Sequence, residues 1–257
     1  MAEFNNKVAL VTGSTGVARA TALRLAEAGA VVLACGIGAD ANASLAAAHP
    51  AIHARTADMA NPDEVAAAVA FAAGTLGGLD IIVNSAAVHP FGTVEDTDFA
   101  AFMRCLAVNV GSIHLTGHFG IPELRRRGGG AIVNLASVQG HACQPGVAAY
   151  VASKGAIHAL TRAMAIDHAG DNIRVNSVSP GSVRTPMLAL AARHFDGPGA
   201  DVDAALRRFG AGHPLGRIAE PEEVAEMIAF LAGPRSAFCT GADYLIDGGL
   251  TAGIGMR

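Results

Sequence analysis

Residues 7–29 read KVALVTGSTGVARATALRLAEAG, and three kinds of text meet in them. Lys7 to Thr12 is a short run of apolar and β-branched residues, as a buried strand requires. Ala18 to Gly29 carries apolar residues at helical spacing, contains no Pro and ends on Gly, which predicts a helix. Between them lies the turn Thr12-Gly13-Ser14-Thr15-Gly16-Val17-Ala18. Glycines there let the backbone bend tightly and approach a pyrophosphate, while the free N–H groups and dipole of the next helix stabilise its charge. A turn needing Gly only for positive φ would read the same in isolation. Its place between the first strand and the first helix favours the phosphate-binding reading.

The same alternation runs outward along the chain. Strand text recurs as AVVLAC (30–35), AIHART (51–56), LDIIVN (79–84), AIVNLAS (131–137), IRVNSVS (173–179) and DYLIDG (243–248), with Ala-rich helical text between. Two of those helices open at Asn61-Pro62 and Glu220-Pro221, acid-rich first turns with Pro near the start. Strands alternating with helices imply a parallel sheet covered on both faces. The expected fold is α/β, a Rossmann-like, doubly wound, seven-stranded parallel sheet in one domain over 1–257. Residues 182–215, rich in Gly, Pro and Asp around HFDGPGAD, read as an insertion that covers a site.

Composition narrows the function. Eighteen basic residues against 22 acidic ones, with no basic block interleaved with aromatics, argue against a nucleic-acid or anionic-membrane partner. The run Arg125–Arg127 reads as a solvated helix C-terminus complementing the dipole. Cys35, Cys105, Cys143 and Cys239 are scattered without a C-x-x-C pair, which fits thiols in a reducing cytoplasm rather than a disulfide frame. Ten His residues show no metal-binding spacing, so no metal site is expected. The N-terminus lacks a signal-peptide pattern, and no apolar run approaches the roughly 18 residues that span a bilayer.

Tyr150 and Lys154 stand four residues apart in helical text, with Ser137 at the end of the preceding strand text. Residues i and i+4 share a helix face, so phenol and ammonium project together. A neighbouring ammonium lowers the pKa of a phenol from about 10 towards that of a working general base. A Ser at the strand end can hydrogen-bond a substrate oxygen beside that phenol.

With these residues in place the chain resembles a short-chain dehydrogenase/reductase of the small, single-domain type, over nearly its whole length. Thr12 to Ala18 resembles the family's T-G-x-x-x-G-x-G turn. It is one residue shorter between its first two glycines, and Ala18 stands in place of the last. Asp58 matches the acid that contacts adenine, Asn84-Ser85-Ala86-Ala87 the N-N-A-G stretch below the cofactor, and Asn109 the helix Asn of the catalytic set. Ser137, Tyr150 and Lys154 complete that set. Ser179-Pro180-Gly181 and Thr185 match the stretch beside the nicotinamide, and Asp247-Gly248-Gly249 the end of the last strand.

The resemblance implies an NAD(P) site formed by Gly13, Ser14, Thr15, Gly16, Val17, Asp58, Met59, Asn84, Ala86, Tyr150, Lys154, Pro180, Gly181, Val183 and Thr185. NAD is favoured over NADP, because the second strand ends in Gly36 and Ile37 with no phosphate clamp beside it. It implies hydride transfer with a secondary alcohol or ketone: Tyr150 moves the proton, Lys154 lowers its pKa, Ser137 holds the oxygen, and Asn109 holds a water leading to Lys154. His89, Gln139, His141, Cys143, Gln144, Met187, Leu188 and His194 are expected to line the substrate pocket, a polar set suggesting a polar or sugar-like substrate. A 3-oxoacyl thioester reductase is the alternative within enzymes, and a non-catalytic dinucleotide-binding module the alternative outside them. The family's habit of pairing helices around 100–127 and 148–169 implies a homotetramer.

Overall fold

The computed structural model describes residues 3–253. Each predicted strand is present: β1 Val8–Thr12, β2 Val31–Gly36, β3 Ile52–Thr56, β4 Ile81–Asn84, β5 Gly130–Leu135, β6 Ile173–Pro180 and β7 Asp243–Ile246. They form one sheet in the order β3-β2-β1-β4-β5-β6-β7, every neighbouring pair parallel. The fold is therefore the expected Rossmann-like arrangement. The order reverses between β1 and β4, where open parallel sheets place their ligand crevice.

Both sheet faces are buried, and the period of two along each strand divides them. Ala9, Val11, Val32 and Ala34 face the layer of α1 (Gly16–Glu27), α2 (Ala39–Ala48) and α9 (Pro221–Ala232). Val8, Leu10, Leu33 and Cys35 face α3 (Pro62–Thr75), α5 (Ser112–Arg126) and α6 (Ala148–His168). That is why the strands read as continuous apolar runs rather than alternating ones. Helix starts follow the sequence signals: Asn61 caps α3 by accepting from the Asp63 N–H at 3.0 Å, and Glu220 and Glu223 form a capping box on α9.

α4 (Phe99–Leu106), a π turn at Ala107–Gly111 and α5 run on as one helix, Phe99–Arg126. It is long and apolar enough by composition to cross a membrane. Its C-terminal part packs on the sheet, with Ile113, Ile121 and Leu124 buried in the core, while Phe99 and Met103 are exposed. Gly120 permits that close packing, since a Cβ there would meet Ile82 Cδ1 at 2.6 Å.

The cationic run at the end of α5 is solvent-exposed, as expected, and is also paired with acids. Arg125 bonds Asp171 through two nitrogens, and Arg126 pairs with Glu123. Arg127 reaches Asp80 at 3.2 Å, at the start of β4. Asp80 is buried and also accepts from Lys7 Nζ at 3.0 Å and the Val8 N–H at 2.9 Å. Burial alone would raise its carboxyl pKa, but these partners together hold it below the usual range. The three arginines thus pair with acids near the N-terminal edge of the sheet, opposite the crevice.

Residues 182–215 contain a helix pair, α7 (Pro186–Asp196) and α8 (Val202–Ala211). Thr185 caps α7 by accepting from the Leu188 N–H at 3.3 Å, with Pro186 in its first turn. Asp201 caps α8 in the same way. The Gly- and Pro-rich text at 197–199 is the link between the two helices, not a loop spanning the whole segment.

Candidate active site

A cleft of about 1200 Å³ opens at the C-terminal edge of the sheet, bounded by the strand ends and by α7. Its floor begins at the glycine turn. Gly13 and Gly16 have φ of +99° and +52°, which only glycine adopts without strain. A side chain on Gly16 would meet Thr185 Cγ2 at 2.9 Å, and one on Gly36 would meet Ser14 Oγ at 2.8 Å. The shortened turn is accommodated by Ala18, whose methyl is buried 3.0 Å from where a Gly13 Cβ would be. Thr15, the N-cap of α1, makes no side-chain capping bond, so the first N–H groups of the helix have no side-chain acceptor there. Bare backbone and a helix start without that capping acceptor are the donor set a pyrophosphate needs.

Thr12 joins the two halves of the crevice. Its Oγ1 accepts from both the Ser85 and Ala86 N–H groups at 2.9 Å, holding the β4 exit against the β1 exit. Asn84, opposite Thr12 in the sheet, does not line the cleft. Its amide donates to Asn134 Oδ1 and its oxygen accepts from Thr116 Oγ1, both at 2.8 Å, inside a buried polar layer beneath the floor. Asp58 and Met59 line the far wall, where Asp58 pairs with Arg104 at 2.8 Å. Pro180, Gly181, Val183 and Thr185 line the near wall.

Tyr150 and Lys154 lie one turn apart on α6, both buried and both in the cleft wall with Ser137. Burial pushes the Tyr150 phenol up from its ordinary value, and the neighbouring Ser137 hydroxyl pulls it the other way. Burial lowers the Lys154 ammonium to about 8. Lys154 Nζ donates to the Leu135 carbonyl at 2.7 Å and sits 5.3 Å from the Tyr150 ring centroid. The expected lowering of the phenol by Lys154 is thus absent from the protein alone: desolvation of the phenolate outweighs it. At neutral pH Tyr150 is a protonated phenol, a proton donor.

Asn109 lies in the π turn and is buried. Its Oδ1 accepts from the Val88 N–H at 2.8 Å, and its Nδ2 donates to the Val88 carbonyl at 3.0 Å and Ser153 Oγ at 2.9 Å. The side chain thus clamps the 85–89 segment to α6. A second tie, Gly92 N–H to the Gly146 carbonyl at 2.7 Å, fixes the same segment at the start of α6.

These ties bring His89 over Tyr150, with ring centroids 4.1 Å apart. Phe91 follows at 4.7 Å from His89, and His194 of α7 stacks on Phe91 at 4.0 Å. Burial lowers His89 to about 4, so its imidazole is neutral. Met187, Leu188, Ala191, Phe195 and Phe209 form an apolar wall facing this stack. Gln139 donates to Gln144 at 3.1 Å, and both line the cleft with Cys143. His89 Nδ1 and Gln139 Oε1 are buried without a partner among the described residues. His141, expected in this pocket, is not brought into it: its ring is held by Asp243 of β7 at 2.7 Å. Phe91, Phe195 and Phe209 were not singled out in the sequence. Phe91, two residues beyond His89, and Phe195, beside His194, were the available signals.

A family model described as "Enoyl-(Acyl carrier protein) reductase" matches residues 11–251. The chain is 35% identical to the cyclohexanol dehydrogenase of Acinetobacter sp. (strain SE19), over 97% of both chains. It is 40% identical to the cis-4-hydroxycyclohexanecarboxylate dehydrogenase of Sinomonas cyclohexanicum, covering 97% of this chain and 98% of that one. A crystal structure of an actinorhodin polyketide ketoreductase variant with NADPH superposes with a TM-score of 0.91 at 31% identity, covering 97% of this chain and 99% of the other.

The buried groups of the cleft have a consequence for stability. Burial pushes Cys35 up to about 12 and raises Cys105 and Tyr150 as well, so the fold keeps protons that the unfolded chain releases above about pH 8.5 to 10. Lys154 acts in the opposite sense, losing in the fold at about 8 a proton the unfolded chain keeps to about 10.4. Stability falls with pH where the unfolded state binds fewer protons; from about pH 9 the two thiols outweigh the one amine, and Tyr150 adds to them above about pH 10. The urea midpoint is expected to fall from about pH 9 upward, and Cys35→Ala to flatten that fall. A midpoint that rises over this range contradicts the assignment.

Proposed function

The chain belongs to the short-chain dehydrogenase/reductase family and is an oxidoreductase acting on CH–OH groups; from that premise we propose that Tyr150, Ser137 and Lys154 carry out reversible oxidation of a secondary alcohol to its ketone with a nicotinamide dinucleotide. The observation that carries this reading is the meeting of these three side chains at the junction of the bare glycine turn and the aromatic pocket. The residues suit the cofactor: Gly13, Gly16 and the start of α1 for the pyrophosphate, Asp58 and Met59 on the adenine side, Pro180 to Thr185 on the nicotinamide side. The nicotinamide supplies or accepts the hydride.

The protein's share is proton management and charge stabilisation. In reduction Tyr150 donates its proton to the forming alkoxide, and in oxidation it takes the proton back. Ser137 holds the substrate oxygen as charge develops on it. Lys154, cationic below about pH 8, favours the phenolate each time Tyr150 gives up its proton. Asn109 acts through the backbone it holds, keeping His89 and Tyr150 in register.

Substrate shape follows from the pocket. The α7 wall favours a compact apolar body, in keeping with relatives named for cyclohexyl alcohols. His89 Nδ1 and Gln139 Oε1 favour a second polar group on it, because a hydrogen bond from substrate removes the cost of leaving them unpaired. NAD is preferred on this reading. β2 ends in Gly36, Ile37 and Gly38 with no cation beside them, and Arg55 lies over the Phe71 ring at 4.6 Å instead. Arg125–Arg127, the cationic run that could meet an acidic carrier, pair with acids away from the cleft and give the thioester-reductase alternative no support. A non-catalytic module has no use for a dry Tyr–Lys–Ser set. The free thiols fit a cytoplasmic location. Exposed Phe99 and Met103 on α4 and Ile166 on α6 support tetramer formation through those helices.

Two outcomes are expected. Tyr150→Phe should lose about a thousandfold in turnover with cofactor affinity nearly unchanged, in a steady-state assay with a cyclic secondary alcohol; full turnover would remove Tyr150 from the chemistry. Light scattering should give about four times the 25.9 kDa chain mass, and a mass near one chain would refute the tetramer.

A further inference from the structure

Outside the cleft, three side chains from distant parts of the chain converge: His141 from the segment after β5, His158 from α6 and Asp243 from β7. His141 Nε2 lies 2.7 Å from Asp243 Oδ2, and His158 Nε2 lies 3.5 Å from Asp243 Oδ1. One ligating atom from each of the three lies within 4.8 Å of the other two. The imidazoles are stacked, with centroids 4.2 Å apart and planes inclined by 26°. Zinc bonds of about 2.0–2.1 Å place tetrahedral ligand atoms about 3.3–3.5 Å apart. The observed distances of 2.7 and 3.5 Å bracket that value.

Three features show that the cluster is organised around its donor atoms. Asp243 Oδ1 accepts from Ser177 Oγ at 2.6 Å and Ser179 Oγ at 2.8 Å, the kind of outer hydrogen bonding that orients a ligating carboxylate. Gly140 leaves room for the inner imidazole, since a Cβ there would lie 2.4 Å from His158 Cε1. His158 Nε2 lies 3.0 Å from Ser179 Oγ, so the serine that bonds Asp243 also orients the inner imidazole. Two imidazoles and one carboxylate suit zinc-class ions better than magnesium or calcium, which prefer all-oxygen sites.

We propose that His141, His158 and Asp243 form a binding site for a divalent transition metal of the zinc class, with water completing the coordination. None of the three lines the cleft, so the ion acts as a clamp rather than as a Lewis acid on the substrate. It ties the short 3₁₀ turn Val138–Gly140, which carries Gln139 into the cleft wall, to α6 and β7. No local spacing in the sequence signals it, because the three residues lie on separate elements.

The test uses the whole chain stripped with EDTA and titrated with ZnCl2 by calorimetry, with thermal unfolding followed in parallel. One saturable site per chain and a raised unfolding midpoint are expected. His141→Ala and Asp243→Asn should each weaken Zn2+ binding at least tenfold, with circular dichroism in EDTA checking that each variant is folded. If Asp243→Asn fails to fold, His141→Ala, altered at an exposed position, decides alone. MgCl2 should not bind there. Absence of saturable Zn2+ binding in the parent chain, unchanged affinity in His141→Ala, or equal binding of Mg2+ would overturn the proposal.

Discussion

A parallel sheet buried on both faces forces each crossover to leave from one edge and return at the other, and this constraint organises the molecule. The C-terminal edge collects the loops, so the polar residues that cannot sit in the core gather there. At the β1–β4 switch the chain departs in opposite directions and leaves a crevice. Thr12 holds that crevice at its width by taking two N–H groups from the β4 exit with one hydroxyl. Asn109 does the equivalent work one layer out, fixing Val88 from both sides. The reactive side chains sit on α6, packed against strands whose positions these bonds set.

Dryness is the second organising condition. Tyr150 and Lys154 are buried together, and desolvation moves the two groups in opposite directions, the phenol up and the ammonium down. Each is thereby pushed towards its neutral form, the state that costs least in an apolar wall. Lys154 keeps its charge below about pH 8, while charge on Tyr150 belongs to the moment of reaction, when alkoxide and phenolate exchange a proton beside Ser137. The same burial leaves His89 neutral, with its ring tilted by 41° against Tyr150 in the wall where a substrate would rest.

The order of elements was legible in the sequence because periodicity and glycine placement report local geometry directly. Every strand named from apolar text is present, and Ser137, Tyr150 and Lys154 do meet. What the sequence concealed depends on contacts between distant elements. Asn84 reads as a group below the cofactor, yet Asn134 and Thr116 already occupy its side chain. His141 reads as a pocket residue, yet Asp243 of β7 draws it away. The effect of Lys154 on Tyr150 was argued from charge alone, and burial, which a sequence does not display, raises the phenol on balance. The polar lining expected from His and Gln residues is accompanied by an apolar α7 wall, hidden because 182–215 reads as loop around its Gly and Pro.

The central claim is that the crevice above the shortened glycine turn holds a nicotinamide dinucleotide beside Tyr150. Calorimetric titration of the purified chain with NADH and NADPH at physiological salt tests it most directly. The account predicts one site per chain with NADH bound more tightly than NADPH, as the cation-free end of β2 requires. Binding of neither would contradict it, by showing that Gly13 to Ala18 no longer grips a pyrophosphate.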